Sequence, residues 1–153
     1  MTAKTHSAPE AENPTRAFIA ESIHSGRQNV PLDVNAAFIS LGAVLVEGRP
    51  GDVKVTFTAG ESVMQGNGVV GGGTLANMLD CSLAIALMSA LSPGQTCSTI
   101  SITVNMMRPA TAGVLLAQAR VDRLGKRVAF ASATLHDKEG RAVANATSSL
   151  AIL

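Results

Sequence analysis

The sequence predicts an α+β domain in which an antiparallel sheet packs on one central helix. Two observations predict it. The first is a single long segment, residues 74–91, "TLANMLDCSLAIALMSAL". It is apolar nearly all round, so as a helix it would be buried on most sides. The second is the run of period-two segments that follows, separated by hairpin signals. Strands gathered around one helix, rather than alternating with several, favour a sheet-on-helix layer.

Taken in order, residues 1–14 are polar, carry two prolines and read as a disordered tail. Residues 15–153 read as a single domain. "TRAFIAESIHSG" (15–26) has helical apolar spacing at Phe18, Ile19 and Ile23, with Thr15 as the cap and Gly26 as the stop. "GRQNVPLDVN" reads as loop. "AAFISLGAVLVEGRPGDVKVTFTAG" reads as strand, turn, strand, with Val53, Val55 and Phe57 alternating against Lys54, Thr56 and Thr58. The long helix follows and "SPG" ends it. Asp80 and Asn77 inside it argue against a membrane span, where a charge is costly. In "CSTISITVNMM", simple alternation puts Ile100, Ile102, Val104 and Met106 on one face. Thr99, Ser101, Thr103, Asn105 and Met107 then fall on the other. "VLLAQARVDRL", "KRVAFASATLHD" and "RAVANATSSLAIL" close the chain as a meander, with turns at "GK" and "KEG".

Composition narrows the function. The chain has 153 residues, with 12 Lys+Arg against 11 Asp+Glu. It has no Trp or Tyr and no basic block longer than two residues. Nucleic-acid binding needs a basic stripe or stacking platforms, and neither is visible. Charged residues are 15% and hydrophobic residues 46%, sparse charge for a surface facing water on all sides. Part of that surface is expected to be covered by other copies of the chain. Cys81 and Cys97 form no CxxC pair and no His lies close in sequence, so no metal site is expected. The N-terminal stretch has no apolar core, which reads as a soluble cytoplasmic protein without a signal peptide.

The chemistry concentrates in "VMQGNGVVGGGTLANMLDCS", residues 63–82. Gly71, Gly72 and Gly73 lead into the long helix. The first amides of a helix have no partner within it, and the helix dipole favours negative charge there. An N–H at this point can face an oxyanion. Asp80 follows inside the apolar segment. An unpaired buried carboxylate costs several kcal/mol, so Asp80 is either satisfied by Ser, Asn or backbone donors or lines a wet cavity. From Gly72 to Asp80 is about 12 Å along a helix at 1.5 Å per residue. If both serve one carbonyl, the site joins two chains, Gly72 from one and Asp80 from the other.

"QGNGVVGGG" places Gln65, Gly68, Gly72 and Gly73, with Asp80 fifteen positions after Gln65. This order resembles the hotdog-fold acyl-CoA thioesterases, especially the phenylacetate-pathway (PaaI-like) and 4-hydroxybenzoyl-CoA types. Their helix start reads N/Q-x-x-G-x-x-H-G-G, then an acid. "SITVNMMRPA" and the closing strands from Arg120 to Ser149 are also similar to that family, so the likeness runs from about Phe38 to Leu153. It implies a long helix wrapped by a curved antiparallel sheet, protomers paired edge to edge as homodimers, and assembly into homotetramers. It implies active sites at the dimer interface and hydrolysis of an acyl- or aryl-CoA to the free acid and CoA. Asp80 would activate water or attack the thioester, Gly72 N–H would polarise the carbonyl, Gln65 would orient water or thioester, and Thr99 would help place the water. Gly71, Gly73 and Asn105 would lie on the substrate side. Arg108, Lys126 and Arg127 are the candidates for the CoA phosphates. No cofactor is implied beyond the coenzyme A of the substrate, and no metal, nucleic acid or membrane.

One position departs from the pattern. The family's His before Gly-Gly is Gly71 here. This motivates the alternative of a non-catalytic acyl-CoA binding protein. A hotdog hydratase or dehydratase would need a His paired with an acid. The only histidines are His6, His24 and His136, in the tail, a helix and a strand end. A serine hydrolase would need GxSxG, which is absent.

Overall fold

The computed structural model describes residues 11–153. The first ten residues of the expected tail, His6 among them, lie outside it. The tail's last residues belong to a helix start. Helix α1 spans Pro14–His24, and Asn13 Oδ1 accepts from the N–H groups of Thr15 and Arg16 at 2.9 and 3.1 Å. The cap is therefore Asn13 and not Thr15. Pro14 sits in the first turn, where a missing N–H costs nothing. Gly26, at φ +66°, stops the helix as expected.

The next elements differ from the reading in two places. The expected loop contains a two-residue strand β1 (Val30–Pro31), and "AAFIS" is a short helix α2 (Ala36–Ser40) rather than strand. Asn35 explains the change, because its side-chain oxygen caps the Phe38 N–H at 2.9 Å and turns the chain before it can extend. Strands β2 (Val44–Arg49) and β3 (Asp52–Ala59) then form the expected hairpin around Pro50-Gly51.

Helix α3 spans Gly72–Met88, two residues earlier at its start and three shorter at its end than the apolar run suggests. It closes at Ser89, whose hydroxyl donates to Ala86 O (2.6 Å) and accepts from Gly51 N–H (2.8 Å), tying the helix end to the β2–β3 turn. Strands β4 (Cys97–Met106), β5 (Gly113–Leu124), β6 (Val128–His136) and β7 (Ala142–Ile152) complete one seven-stranded sheet.

The strand order is β1-β2-β3-β5-β6-β7-β4, antiparallel at each pairing. Strands β5, β6 and β7 are the expected meander. Strand β4 does not join it in sequence order and instead becomes the sheet's edge beside β7. Helix α3 touches β3, β4, β5, β6 and β7, so the sheet curves around it. The helix-facing side of the sheet is largely small: Ala117, Ala119, Ala129, Ala131, Ala133, Ala144 and Ala146 are all buried. Small residues let the strands approach the helix, and the volume between is filled by Met78, Leu79, Leu83, Ile85 and Leu87 from α3. Among the described residues, no helix is long and apolar enough to cross a membrane.

Candidate active site

The helix start is built by the loop before it. Gly71 N–H donates to Val63 O at 2.9 Å, and Gln65 N–H donates to Val69 O at 2.7 Å. These bonds fold residues 63–71 into a small hairpin that carries Gln65 beside Gly71. A Cβ added at Gly71 would lie 3.7 Å from Gln65 Cγ. Gly71 itself adopts φ −59°, ψ 138°, a conformation open to any residue. Its carbonyl accepts from the N–H groups of Thr74 and Leu75. Gly72 and Gly73, the first two residues of α3, find no acceptor for their N–H groups among the described residues. This pair of amides stands free at the positive end of the helix dipole.

Asp80 lies two turns on and is half-buried. Its Oδ1 accepts a hydrogen bond from Thr99 Oγ1 at 2.8 Å. Among the described residues no cation forms an ion pair with it. The contact with Thr99 corrects the alternation expected for β4. A β-bulge between Thr99 and Ser101 inserts Ile100 as an extra residue. Past the bulge, Ile102 and Val104 stand beside the buried Ser148 and Ala146. Before it, Thr99 stands beside the buried Leu150. Thr99 therefore shares the helix-facing side with Ile102 and Val104, while Ile100 turns outward and is 57% exposed.

The bulge also brings Cys97 onto the helix side. Burial pushes both thiols, Cys81 and Cys97, up to about 11, and the charge of Asp80 adds to the effect in each. Both cysteines therefore surround the carboxylate and stay protonated at neutral pH. A thiol nucleophile needs the thiolate, which neither cysteine supplies at neutral pH. Among the described residues, no cluster of His, Cys, Asp and Glu is suited to a metal.

The exposed stripe of α3 holds Gly73 and Asn77, then the half-buried Asp80 and Ala84, on one face of the helix. Residues Asn77 and Met106 belong to this region although the sequence reading gave them no role. Asn77 accepts weakly from Cys81 Sγ at 3.6 Å. Met106 Cε lies 3.5 Å from where a Cβ on Gly72 would stand. The helical spacing 73–77–80–84 carried a signal for Asn77; nothing local signalled Met106.

Not every expected site residue is brought together. Asn105 bonds to Asn145 at 3.0 Å on the sheet face turned away from α3. Arg108 lies near the helix start, with Nη1 donating to Ala142 O. Lys126 and Arg127 sit in the β5–β6 turn, near the Cys97 end of β4, because Arg127 O accepts from Ile152 N–H and Ile152 pairs with Cys97. The two ends of β4 are roughly 30 Å apart at 3.3 Å per residue. Within one chain, Gln65, Gly72, Met106 and Arg108 therefore gather at one end and Asp80, Thr99, Lys126 and Arg127 towards the other. Among the described residues, surface concavities of about 390–610 Å³ open elsewhere, lined by none of Gln65, Gly72, Asp80 and Thr99.

A family model described as the thioesterase superfamily matches residues 67–144, which hold the helix start, Asp80 and Thr99. The chain belongs to the thioesterase superfamily. An esterase-named protein of Pseudomonas aeruginosa is 38% identical over 81 residues, 52% of this chain. The match spans 60% of the length of that curated relative. A solved structure named as a thioesterase related to phenylacetic acid degradation, from Ralstonia eutropha, is 32% identical, covers 77% of this chain and 90% of its own, and superposes with a TM-score of 0.75. The E. coli PaaI protein, from the phenylacetic acid degradation operon, is 21% identical over 91% of this chain and 94% of its own, TM-score 0.75. A Streptococcus mutans protein solved with acetyl-CoA is 20% identical, covers 71% of this chain and 86% of its own, TM-score 0.67. These likenesses establish the hotdog fold for the thioesterase-superfamily chain, with α3 as its central helix.

Proposed function

We propose that this thioesterase-superfamily protein hydrolyses an acyl-CoA thioester to the free acid and CoA at a site shared by two copies of the chain. The observation that carries the reading is the Asp80–Thr99 pair, a carboxylate held at 2.8 Å by a hydroxyl on the open face of the helix. The acetyl-CoA held by the Streptococcus mutans neighbour supports a CoA thioester as ligand.

The exposed edge of β4 supports the pairing of copies. This is a ten-residue edge strand with one unpaired side, and such an edge readily pairs with another chain. Antiparallel pairing of two β4 strands sets the Thr99 end of one beside the Met106 end of the other. That single operation brings Asp80 of one chain towards Gly72 of its partner, and Lys126 and Arg127 of one towards Arg108 of the other. The two halves separated within one chain then meet twice per dimer.

In the reaction, the thioester carbonyl oxygen accepts from Gly72 N–H, which stabilises the charge that develops there. Asp80 of the other chain takes a proton from water as the water oxygen adds to the carbonyl carbon; the C–S bond then breaks and the CoA thiolate leaves with that proton. Alternatively Asp80 attacks the carbonyl carbon itself, the C–S bond breaks to release the CoA thiolate, and water opens the resulting anhydride to the free acid and the restored carboxylate, its remaining proton going to the thiolate. Thr99 fixes the carboxylate's orientation by donating to one oxygen and leaving the other free. Gln65, beside the helix start, orients the thioester. Arg108, Lys126 and Arg127 attract the CoA phosphates. The departure at Gly71 does not remove any of these groups.

Thiol release from a panel of short, medium, long and aryl acyl-CoAs tests the reading, with wild type against Asp80→Asn. The expected result is release by wild type that falls by at least a hundredfold in the variant. Binding without release on every substrate would instead establish the non-catalytic acyl-CoA binding protein.

A further inference from the structure

We propose that Met106 sets the size of acyl group this protein accepts, an inference that rests on the two-chain thioesterase reading and deepens it. A carbonyl held by Gly72 N–H must bring its oxygen within about 3 Å of that nitrogen. The groups attached to the carbonyl carbon then lie within about 5 Å of the helix start, over Gly72. Glycine offers no side chain there. The side-chain atom that reaches that space is the Met106 methyl, 3.5 Å from where a Cβ on Gly72 would be. Met106 therefore stands where a substituent of the reacting carbon must pass.

Two further observations say which substituent. Met106 continues a strip of apolar side chains, Ile102 and Val104, along the helix-facing side of β4. Both are half-buried, so the strip offers unsatisfied apolar surface beside the reacting carbon. The pantetheine arm must run to the cationic residues; the acyl chain is the apolar arm and lies against the strip. Within its own chain Met106 is 49% exposed, so packing in that chain's core does not fix its conformation. An unbranched thioether of this kind adjusts to what is placed against it. It acts as a compliant wall at the start of the acyl path.

The test is a substrate profile read two ways. Thiol release and calorimetric acyl-CoA binding are measured on one panel of graded acyl size, for wild type, Met106→Ala, Met106→Leu and Met106→Phe. Alanine removes the methyl and opens the path, so the kcat/KM ratio of bulky to small acyl groups rises about tenfold, the usual value of a methylene or two in an apolar pocket. Phenylalanine lowers that ratio by a similar factor, and leucine, of nearly the same volume, keeps the wild-type ranking. Circular dichroism on each variant confirms the fold. An unchanged ranking in Met106→Ala and Met106→Phe, in both readouts, overturns the assignment. If wild type binds but releases no thiol, hydrolysis fails while a size-dependent shift in Kd still supports Met106. If it neither binds nor hydrolyses any member of the panel, both fall together.

Discussion

Gly72 is the position where the donor role separates most cleanly from the fold. It is the first residue of α3, and proline is favoured at that position because its N–H has no helical partner to lose. The residue before a proline must be extended, and Gly71 already is, at φ −59°, ψ 138°. Gly72→Pro therefore deletes one N–H and asks little else of the chain. Its stability in urea should stay within about 1 kcal/mol of wild type, with the unfolded state's lost freedom offsetting any small strain. Gly72→Ala keeps the N–H and adds a Cβ in ordinary contact, 3.5 Å from Met106 Cε. If Gly72 N–H stabilises the oxyanion, Gly72→Pro loses a donor worth about 3–4 kcal/mol in the transition state, a fall of roughly 10²–10³ in kcat. Gly72→Ala should stay within about fivefold. Thiol release under saturating acyl-CoA measures both, alongside circular dichroism and urea unfolding. A folded Gly72→Pro that turns over as fast as Gly72→Ala would refute the donor role, whatever the fate of Asp80.

Thr99→Val removes the hydroxyl on Asp80; because the pair is half open to water, its loss should cost about 1 kcal/mol, or roughly fivefold in kcat with KM little changed. Thr99→Ser should restore the rate, and the valine change should have little further effect in an Asp80→Asn background, since equal losses in both backgrounds would mean the contact is not the cause. Cys81 and Cys97, raised to about 11, should react slowly with iodoacetamide in the native state at pH 8 and faster as pH climbs, and Asp80→Asn should speed both by removing the smaller of the two causes. The native chain holds these protons where the unfolded chain releases them, so stability is full below the ordinary thiol range and falls as pH rises through it towards 11; alkaline unfolding series read the trend, and a flat profile would contradict it. Leu83→Ala, fully buried against the sheet, should lower unfolding free energy by about 2–5 kcal/mol in urea titration.

Much of this molecule is written locally. The apolar run around Asp80 specifies a buried helix because no polar face interrupts it, and the glycines at its start specify free amides because glycine leaves them uncovered. The hairpins at Pro50-Gly51, Gly125-Lys126 and Asp137–Gly140 follow from turn residues that few other conformations accept. The set Gln65, Gly72 and Asp80 comes from the family resemblance, whose pattern places each by its distance along the chain from the helix start. At the Asn13 cap and the helix at residues 36–40 a single side-chain oxygen outweighs the propensity of its neighbours, which is all that local pattern records.

The tertiary structure decided the rest. Whether Thr99 faces Asp80 depends on one extra residue opposite β7, and a bulge of that kind leaves no mark on the alternation of β4 itself. Setting β4 at the sheet's edge, beside the last strand rather than the next, is a long-range pairing that no local pattern encodes. That placement leaves the strand's outer side open and brings Met106 over the helix start. Periodicity records which residues share a face within one element. Which elements become neighbours is fixed only when the whole sheet closes around the helix and the core fills.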